Sequence, residues 1–382
     1  MTTVLINAIS LREGGALVLL QNLLAEMTRL RPDWEWHVIT NDVANERLLG
    51  IENLIFHVYP EHEFAGWKVR LWYETALPRL AKQIQADLLF SQTNYLPSRK
   101  MPCRSLLLVQ HAGHFSDVFK RLTEAQLPGL PSRLSWRQKG RWVKSSIRRA
   151  DLVTVQTEAL ARRITEETGV SRDRLRVVPH GIGLARPQGV FAQTPVVGEP
   201  VRIGYITKYG VQKNFGVLFA AAEKLKAQGM RPVLVLTLDP EQATSQAVFA
   251  LANHYGVLDV IENHGELAPP EVDALYRTLH LFVFPSLCES FGFPMVEAMA
   301  YGLPLLVAEV DSNIEVSAAA GLAFPPADGD VLAFLIKRLI ENPVEYQHFS
   351  RASLERAAYF SWNEAVISMF KLMDELLGRT RE

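Results

Sequence analysis

Along most of the chain, short apolar runs alternate with stretches in which apolar residues recur at three- and four-residue steps. In the first half the runs are Val4–Ile9, His37–Thr40, Ile55–Tyr59, Asp87–Ser91, Arg104–Gln110, Asp151–Gln156 and Arg176–Pro179. The second half has Val201–Thr207, Pro232–Leu238, Leu281–Phe284 and Leu303–Ala308. Runs of this length read as buried strands, and the periodic segments between them read as helices. Helices are expected at Ala16–Leu30, Thr157–Glu167, Phe215–Gln228, Pro269–Leu279, Pro294–Gly302, Val331–Ile340 and Trp362–Leu377. Strand and helix in alternation imply parallel sheets covered on both faces, the α/β class.

A chain of 382 residues is too long for one ordinary core and suits two domains. The segment 186–200, RPQGVFAQTPVVGEP, is rich in Pro and Gly and has no periodicity, so it reads as the linker. The expected organisation is a first doubly wound domain over 1–185, a second over 201–358, and a terminal helix over 359–382. Net charge supports the division. Residues 1–185 carry 25 Lys and Arg against 18 Asp and Glu, whereas 186–382 carry 15 against 23, so the halves are expected to have different partners, the basic one an acidic acceptor or an anionic membrane face. The two cysteines, Cys103 and Cys288, belong to no CxxC pattern, which argues against a disulfide framework or a zinc knuckle. No run reaches the roughly 18 apolar residues of a membrane span, and Met1-Thr2-Thr3 leads into Val4 without a basic leader. The expected location is cytoplasmic.

The candidate chemistry lies between Leu281 and Ala308. Pro294 suits the first position of a helix and Gly302 the left-handed turn after its last, so Ser286–Phe293 is a loop at the carboxyl end of a parallel strand, where open sheets place ligands. The backbone N–H groups of Ser290, Phe291 and Gly292 lead to the helix N-terminus, a setting for phosphate. Glu289 and Glu297 offer acceptors to sugar or ribose hydroxyls. A nucleotide sugar carries both kinds of group.

Glu289-x7-Glu297 followed by Ala-Met-Ala-Tyr-Gly-Leu-Pro resembles the signature of the retaining glycosyltransferases of family 4, which have the GT-B fold. The resemblance implies two Rossmann-like domains facing a cleft and a C-terminal helix crossing back to the first. It also implies roles. Lys208 and Lys213, five apart as in the family's Arg and Lys, would hold the diphosphate, although lysine at 208 loses the bidentate fork of arginine. Glu289 would hold the donor sugar, Glu297 the ribose, and His111, after the fifth strand, the reacting centre. Gly15 stands in the glycine loop after the first strand, and Gly265 and Leu267 in the loop near the base. His180 and Gly183 depart from the family's Pro-Asn-Gly-Ile-Asp turn, and Asp311-Ser312-Asn313 from its Gly-Gly-x-x-Glu. The partners implied are a UDP- or GDP-linked sugar and a saccharide acceptor, lipid-linked in the manner of bacterial surface polysaccharides.

Two features pull elsewhere. Residues 117–149 hold nine Lys and Arg against Asp117 and Glu124, with Phe119, Trp136 and Trp142 interleaved. A solvated helix face, an anionic membrane on the inner side of which the protein is peripheral, and nucleic acid all fit such a cluster, but no nucleic-acid-binding motif supports the last. Asp328-Gly329-Asp330 matches a metal-binding D-x-D string but stands at a helix start, where Asp is a favoured cap. No other metal-ligand spacing is present, so no cofactor is expected and catalysis should be metal-independent. Two rival readings stay open: a nucleotide-sugar 2-epimerase of the same fold, and a catalytically silent saccharide- or membrane-binding protein.

Overall fold

The computed structural model describes residues 1–11, 14–41, 46, 48, 50–60, 67–184, 187 and 192–379. Arg12 and Glu13 of the glycine loop, and most of 185–191 where the linker was expected to begin, lie outside the described residues. The chain forms two compact units. Met1–Lys120, Glu124–Gly181 and Ser361–Glu382 make the first, and Ile182–Phe360 with Arg121–Thr123 the second.

The first unit is built on strands β1 (Thr3–Asn7), β2 (Glu35–Thr40), β3 (Leu54–Val58), β4 (Leu88–Ser91), β5 (Arg104–Leu108), β6 (Leu152–Val155) and β7 (Leu175–Val177). They form one sheet in the order β3-β2-β1-β4-β5-β6-β7, and every pairing is parallel. The second unit repeats the pattern with β8 (Val201–Tyr205), β9 (Pro232–Leu236), β10 (Ile261–Asn263), β11 (Leu281–Phe284), β12 (Leu305–Ala308) and β13 (Gly321–Phe324), in the order β10-β9-β8-β11-β12-β13. Both are doubly wound sheets of the Rossmann order, in which the winding reverses beside the first strand. The reversal opens a crevice at the carboxyl ends of β1 and β4 in one unit, and of β8 and β11 in the other. Central strands are buried throughout, as parallel strands covered on both faces must be.

The last helix, Trp362–Leu376, belongs to the first unit. Val366, Met369, Phe370 and Met373 of the expected stripe are buried, while Leu377 is half-buried. Phe370 lies 5.5 Å edge-on from Trp34, and Arg31 pairs with Asp374 at 2.9 Å. The chain is pinned where it returns. A Cβ at Gly181 would sit 2.5 Å from the Trp362 ring and 2.6 Å from its backbone nitrogen, so the turn tolerates only glycine there. His180 stacks on the same ring at 5.7 Å, and burial pushes its imidazole down to about 3. It is a neutral packing group at physiological pH.

The charged segment 117–149 folds as two helices, Asp117–Gln126 and Gly129–Arg149. Several of its cations are tied down: Lys120 and Lys144 reach Glu167 at 2.8 and 2.6 Å, and Arg137 reaches Glu124 at 2.9 Å. Asp328 accepts a hydrogen bond from the Val331 backbone N–H at 2.9 Å, at the start of the helix Gly329–Glu341, so it is a cap. Asp330 points the other way, to Lys224 at 3.1 Å.

Candidate active site

In the second unit, two loops leave the crevice strands side by side. After β8 the chain runs to Asn214, whose left-handed backbone (φ 50°) turns it into the helix Phe215–Ala227. After β11 it runs through Glu289 to Gly292, and the helix Phe293–Ala300 follows with Pro294 in its first turn. Gly292 is left-handed (φ 83°), and a Cβ there would lie 2.8 Å from Met295 Cε and 3.2 Å from the Phe284 ring. The turn therefore needs glycine on two counts. The helix begins one residue before the expected Pro294, and Gly302 (φ 72°) ends it as its position in the sequence predicts.

Side chains from the two loops meet. Lys213 Nζ donates to Glu289 Oε1 at 2.7 Å, and Ser286 Oγ donates to the same oxygen at 2.7 Å. Both partners of the ion pair are half-buried, with side chains 13% and 16% exposed. The ammonium lies 5.8 Å from the Phe284 ring centroid, and the Tyr205 hydroxyl fixes the Lys213 carbonyl at 2.9 Å. The backbone of Leu287 donates to Gln212 at 2.9 Å, locking loop to loop. Asn313, from the helix Asp311–Ser317, is fully buried and donates to the Ser286 carbonyl at 2.8 Å. This side chain stands just after the two positions where the family pattern has glycines, and it braces the loop from behind.

Lys208 goes elsewhere. Its ammonium pairs with Glu266 at 2.6 Å, in an exposed bridge between the loop after β8 and the loop carrying Gly265 and Leu267. Gly265 is left-handed (φ 72°), and Leu267 packs against the unit's core. The two lysines thus have separate carboxylate partners, one half-buried in the crevice and one at the surface.

Glu297 occupies the first turns of the helix, with its carboxyl in apolar surroundings. The hydroxyl of the buried Tyr276 donates to it at 2.9 Å, and a Cβ at Gly183 would fall within van der Waals distance of its other oxygen. Removal from water pushes the Glu297 carboxyl up to about 7, and the Tyr276 hydrogen bond only partly offsets this. Gly183, which replaces an aspartate of the family turn, leaves the room that Glu297 fills; a second carboxylate there would meet the first. The Phe291 ring is buried, edge-on to Phe293 and Phe360 at 5.4 and 5.3 Å, so what it offers a ligand is its backbone. Ser290 is half-buried beside it.

Two of the expected residues lie in the first unit. His111 is exposed at the end of the β5 loop, where its carbonyl accepts from Asn94 at 3.5 Å and its ring stands edge-on to Phe119 at 5.2 Å. Gly15 is exposed in the first turn of the helix Gly14–Leu30. Ser286, Tyr276 and Asn313 escaped sequence reasoning because a serine after a strand, a tyrosine in an apolar helix and an asparagine in a short helix have many other uses.

Two family models cover most of the chain between them: "Glycosyltransferase Family 4" matches residues 13–186, and "Glycosyl transferases group 1" matches 190–356. Among curated proteins, the chain is 27% identical over 235 residues to an MMP alpha-(1->4)-mannosyltransferase of Mycolicibacterium hassiacum, covering 60% of this chain and 55% of that one. It is 30% identical over 227 residues to a D-inositol 3-phosphate glycosyltransferase of Mycolicibacterium smegmatis, covering 57% and 51%. The match thus spans about half the length of these relatives. Among solved structures, a sucrose-phosphate synthase from Thermosynechococcus elongatus superposes with a TM-score of 0.73 at 16% identity, over 100% of both chains. Anabaena HepE in complex with UDP and glucose superposes with a TM-score of 0.71 at 17% identity, over 98% of this chain and 100% of that one. The doubly wound pair of units, the Glu289-x7-Glu297 loop and helix, and both family models agree: the chain belongs to the glycosyltransferases of group 1 and family 4, with the GT-B fold.

Proposed function

We propose that this protein transfers a hexosyl group from a nucleoside diphosphate sugar to a saccharide acceptor with retention of configuration. The observation that carries the reading is the half-buried Lys213–Glu289 pair at the β8/β11 crevice, 2.7 Å apart, beside the start of the helix Phe293–Ala300, where the helix dipole favours an anion. The diphosphate takes the ammonium of Lys213 and the helix N-terminus, while Glu289, steadied by Ser286, accepts from the sugar hydroxyls. Glu297 takes the ribose. Lys208 guards the outer, base side of the site with Gly265 and Leu267. His111 is assigned to the reacting centre on the family resemblance. In the transfer step, an acceptor hydroxyl oxygen bonds to the anomeric carbon as the bond from that carbon to the phosphate oxygen breaks. The leaving phosphate takes the hydroxyl proton on the same face, and the lysine and helix dipole carry its charge without a metal ion. The relatives named mannosyltransferase and glycosyltransferase support the same class of reaction.

A thermal-shift panel of UDP-, GDP- and ADP-linked sugars tests this. A ligand that binds only the folded state at a hundred times its dissociation constant adds about 2.7 kcal/mol, so one donor family should raise Tm clearly, and its transfer should persist in EDTA. No response to any nucleotide sugar, or transfer that needs an added divalent ion, would sink the proposal.

For the acceptor we propose a lipid-linked saccharide met at an anionic membrane. Leu130 and Leu134 are 72% and 52% exposed, and with the exposed Arg133, Arg137 and Arg141 they share one face of the helix Gly129–Arg149. Apolar residues flanked by arginines on one face are what an interfacial helix presents to acidic lipid. Vesicles containing phosphatidylglycerol should retain the protein at low salt, and the Leu130→Ser/Leu134→Ser variant should stay in solution. Equal partitioning of both would leave the face as ordinary solvated surface.

A further inference from the structure

β11 and β12 run side by side, Phe284 level with Val307, and a single side chain ties their exits together. Asn313 Nδ2 donates to the Ser286 carbonyl at 2.8 Å, just past the end of β11, and to the carbonyl of Ala308, the last residue of β12, at 3.3 Å. These partners fix which way the amide points, since exchanging its oxygen and nitrogen would set an acceptor against two carbonyls. The side chain is held from its own side too. Asn313 is fully buried in the helix Asp311–Ser317, and Ser317 Oγ donates to its carbonyl at 2.8 Å. Its Oδ1 is buried and has no hydrogen-bond partner among the described residues, which costs stability. An amide kept at that cost is kept for what its nitrogen holds.

What it holds leads into the site. The Ser286 carbonyl is on Asn313 while the Ser286 hydroxyl donates to Glu289 Oε1 at 2.7 Å, and the same oxygen takes the Lys213 ammonium at 2.7 Å. Residues 285–292 belong to neither strand nor helix, so no ladder sets the direction of the Ser286 carbonyl, and the amide that meets it does. We infer that Asn313 is a positioning residue of the donor site: it fixes the Ser286 backbone, the Ser286 hydroxyl then aims Glu289 Oε1, and the carboxylate stands ready for the hydroxyls of the donor sugar. The inference rests on the transferase reading above and adds to it a residue that makes no hydrogen bond to Glu289 or Lys213. A misplacement of about 1 Å passed along such a chain can cost on the order of a hundredfold in function. The loss falls on the sugar and not on the whole nucleotide, because Glu289 is the group being aimed.

Binding to the full-length protein tests this with two ligands: the nucleotide sugar that raises the wild-type Tm most, and the nucleoside diphosphate of the same base. Asn313→Leu keeps the volume and removes the donor; Ser286→Ala removes the hydroxyl and keeps the carbonyl; the double variant closes the cycle. In Asn313→Leu the nucleotide sugar should bind about tenfold more weakly, and the nucleoside diphosphate, which offers Glu289 no sugar, less than about threefold. In the Ser286→Ala background the same substitution should cost the nucleotide sugar less than about twofold, because the route to Glu289 is already cut, while its effect on the urea midpoint should be the same in both backgrounds. If Asn313→Leu fails to fold, Asn313→Ser, too short to reach both carbonyls, carries the same comparison. Equal weakening of the two ligands would make Asn313 a residue of the fold alone and overturn the inference. So would a tenfold loss that persists in the Ser286→Ala background. A wild type that responds to nucleotide sugars while Asn313→Leu matches it sinks this inference by itself; a wild type that responds to none sinks the transferase reading, and the inference with it.

Discussion

Lys213→Ala should unfold more easily than the wild type by about 2 kcal/mol and should lose its thermal response to nucleotide sugars. The stability loss arises because the substitution strands Glu289. That carboxylate keeps the Ser286 hydroxyl, and removing one partner of a buried ion pair costs roughly 3–5 kcal/mol, which the pair's partial exposure reduces to about 2. The loss of response arises for a different reason, the missing ammonium for the diphosphate, and the two causes separate in the double variant. Lys213→Ala/Glu289→Gln has no stranded charge, so its stability should return to within about 1 kcal/mol of the wild type while the donor response stays absent. Urea unfolding of the four members of the cycle, with the donor panel run on each, gives both numbers. Full stability in Lys213→Ala would mean the pair contributes nothing. A normal donor response in the double variant would remove Lys213 from the site.

The cycle also bears on why an enzyme would bury such a pair. An apolar pair of the same volume would serve stability as well or better. A lysine held by a carboxylate is, however, already desolvated and aimed before its anionic ligand arrives, so less is lost on binding. On the proposed function, Glu289 would hold the cation in the free protein and turn to the sugar hydroxyls in the complex.

How much of this could be read beforehand depended on the kind of residue. The unit from Leu281 to Ala308 was legible because its signals are local: an unbroken apolar strand, a glycine where the backbone must be left-handed, and a proline in the first helical turn. Its boundaries shifted by a residue or two, with β12 starting at Leu305, beyond Pro304, since proline has no N–H to give the ladder. The helix Pro343–Ala358 left no such trace, because its buried face is Tyr346, Ser350, Ser353 and Ala357. Small and polar residues pack there, and an apolar period never appears. The helix Ala243–His254, which buries Ser245, Val248 and Ala252, was hidden in the same way.

Within the site, spacing in sequence was a poor guide to spacing in space. Lys208 and Lys213 stand five apart on a loop, which invites a shared task, yet the loop carries one to Glu266 at the surface and the other to Glu289 inside. The Tyr276–Glu297 contact joins residues on two different helices, and no periodic argument could place that hydroxyl. His180 and Gly181 departed from or matched the family turn by letter alone. Their use became visible only when Trp362, from the far end of the chain, was found against them.

Glu297→Gln should stabilise the protein above pH 7 and not below pH 5. The carboxyl titrates near 7 in the folded protein, against 4.5 for an ordinary glutamate, because burial disfavours its charge. Between those values the folded state holds a proton that the unfolded state has released, so wild-type stability falls as pH rises through the window and the full penalty applies above it. A rise of that size would be worth about 3 kcal/mol, and partial exposure reduces this to about 2. Glutamine carries no such term, so the difference between variant and wild type should open from near zero at pH 5 to that value at pH 8. Nucleotide binding should run the other way. If the ribose hydroxyls donate to ionised Glu297, donor affinity in the wild type should rise between pH 6 and 8 as the proton leaves, and in Glu297→Gln it should be lower and flat. Parallel stability profiles would place the carboxyl in water. A rise in donor affinity that survives the substitution would assign the ribose to another residue and leave Glu297 as a partner of Tyr276 alone.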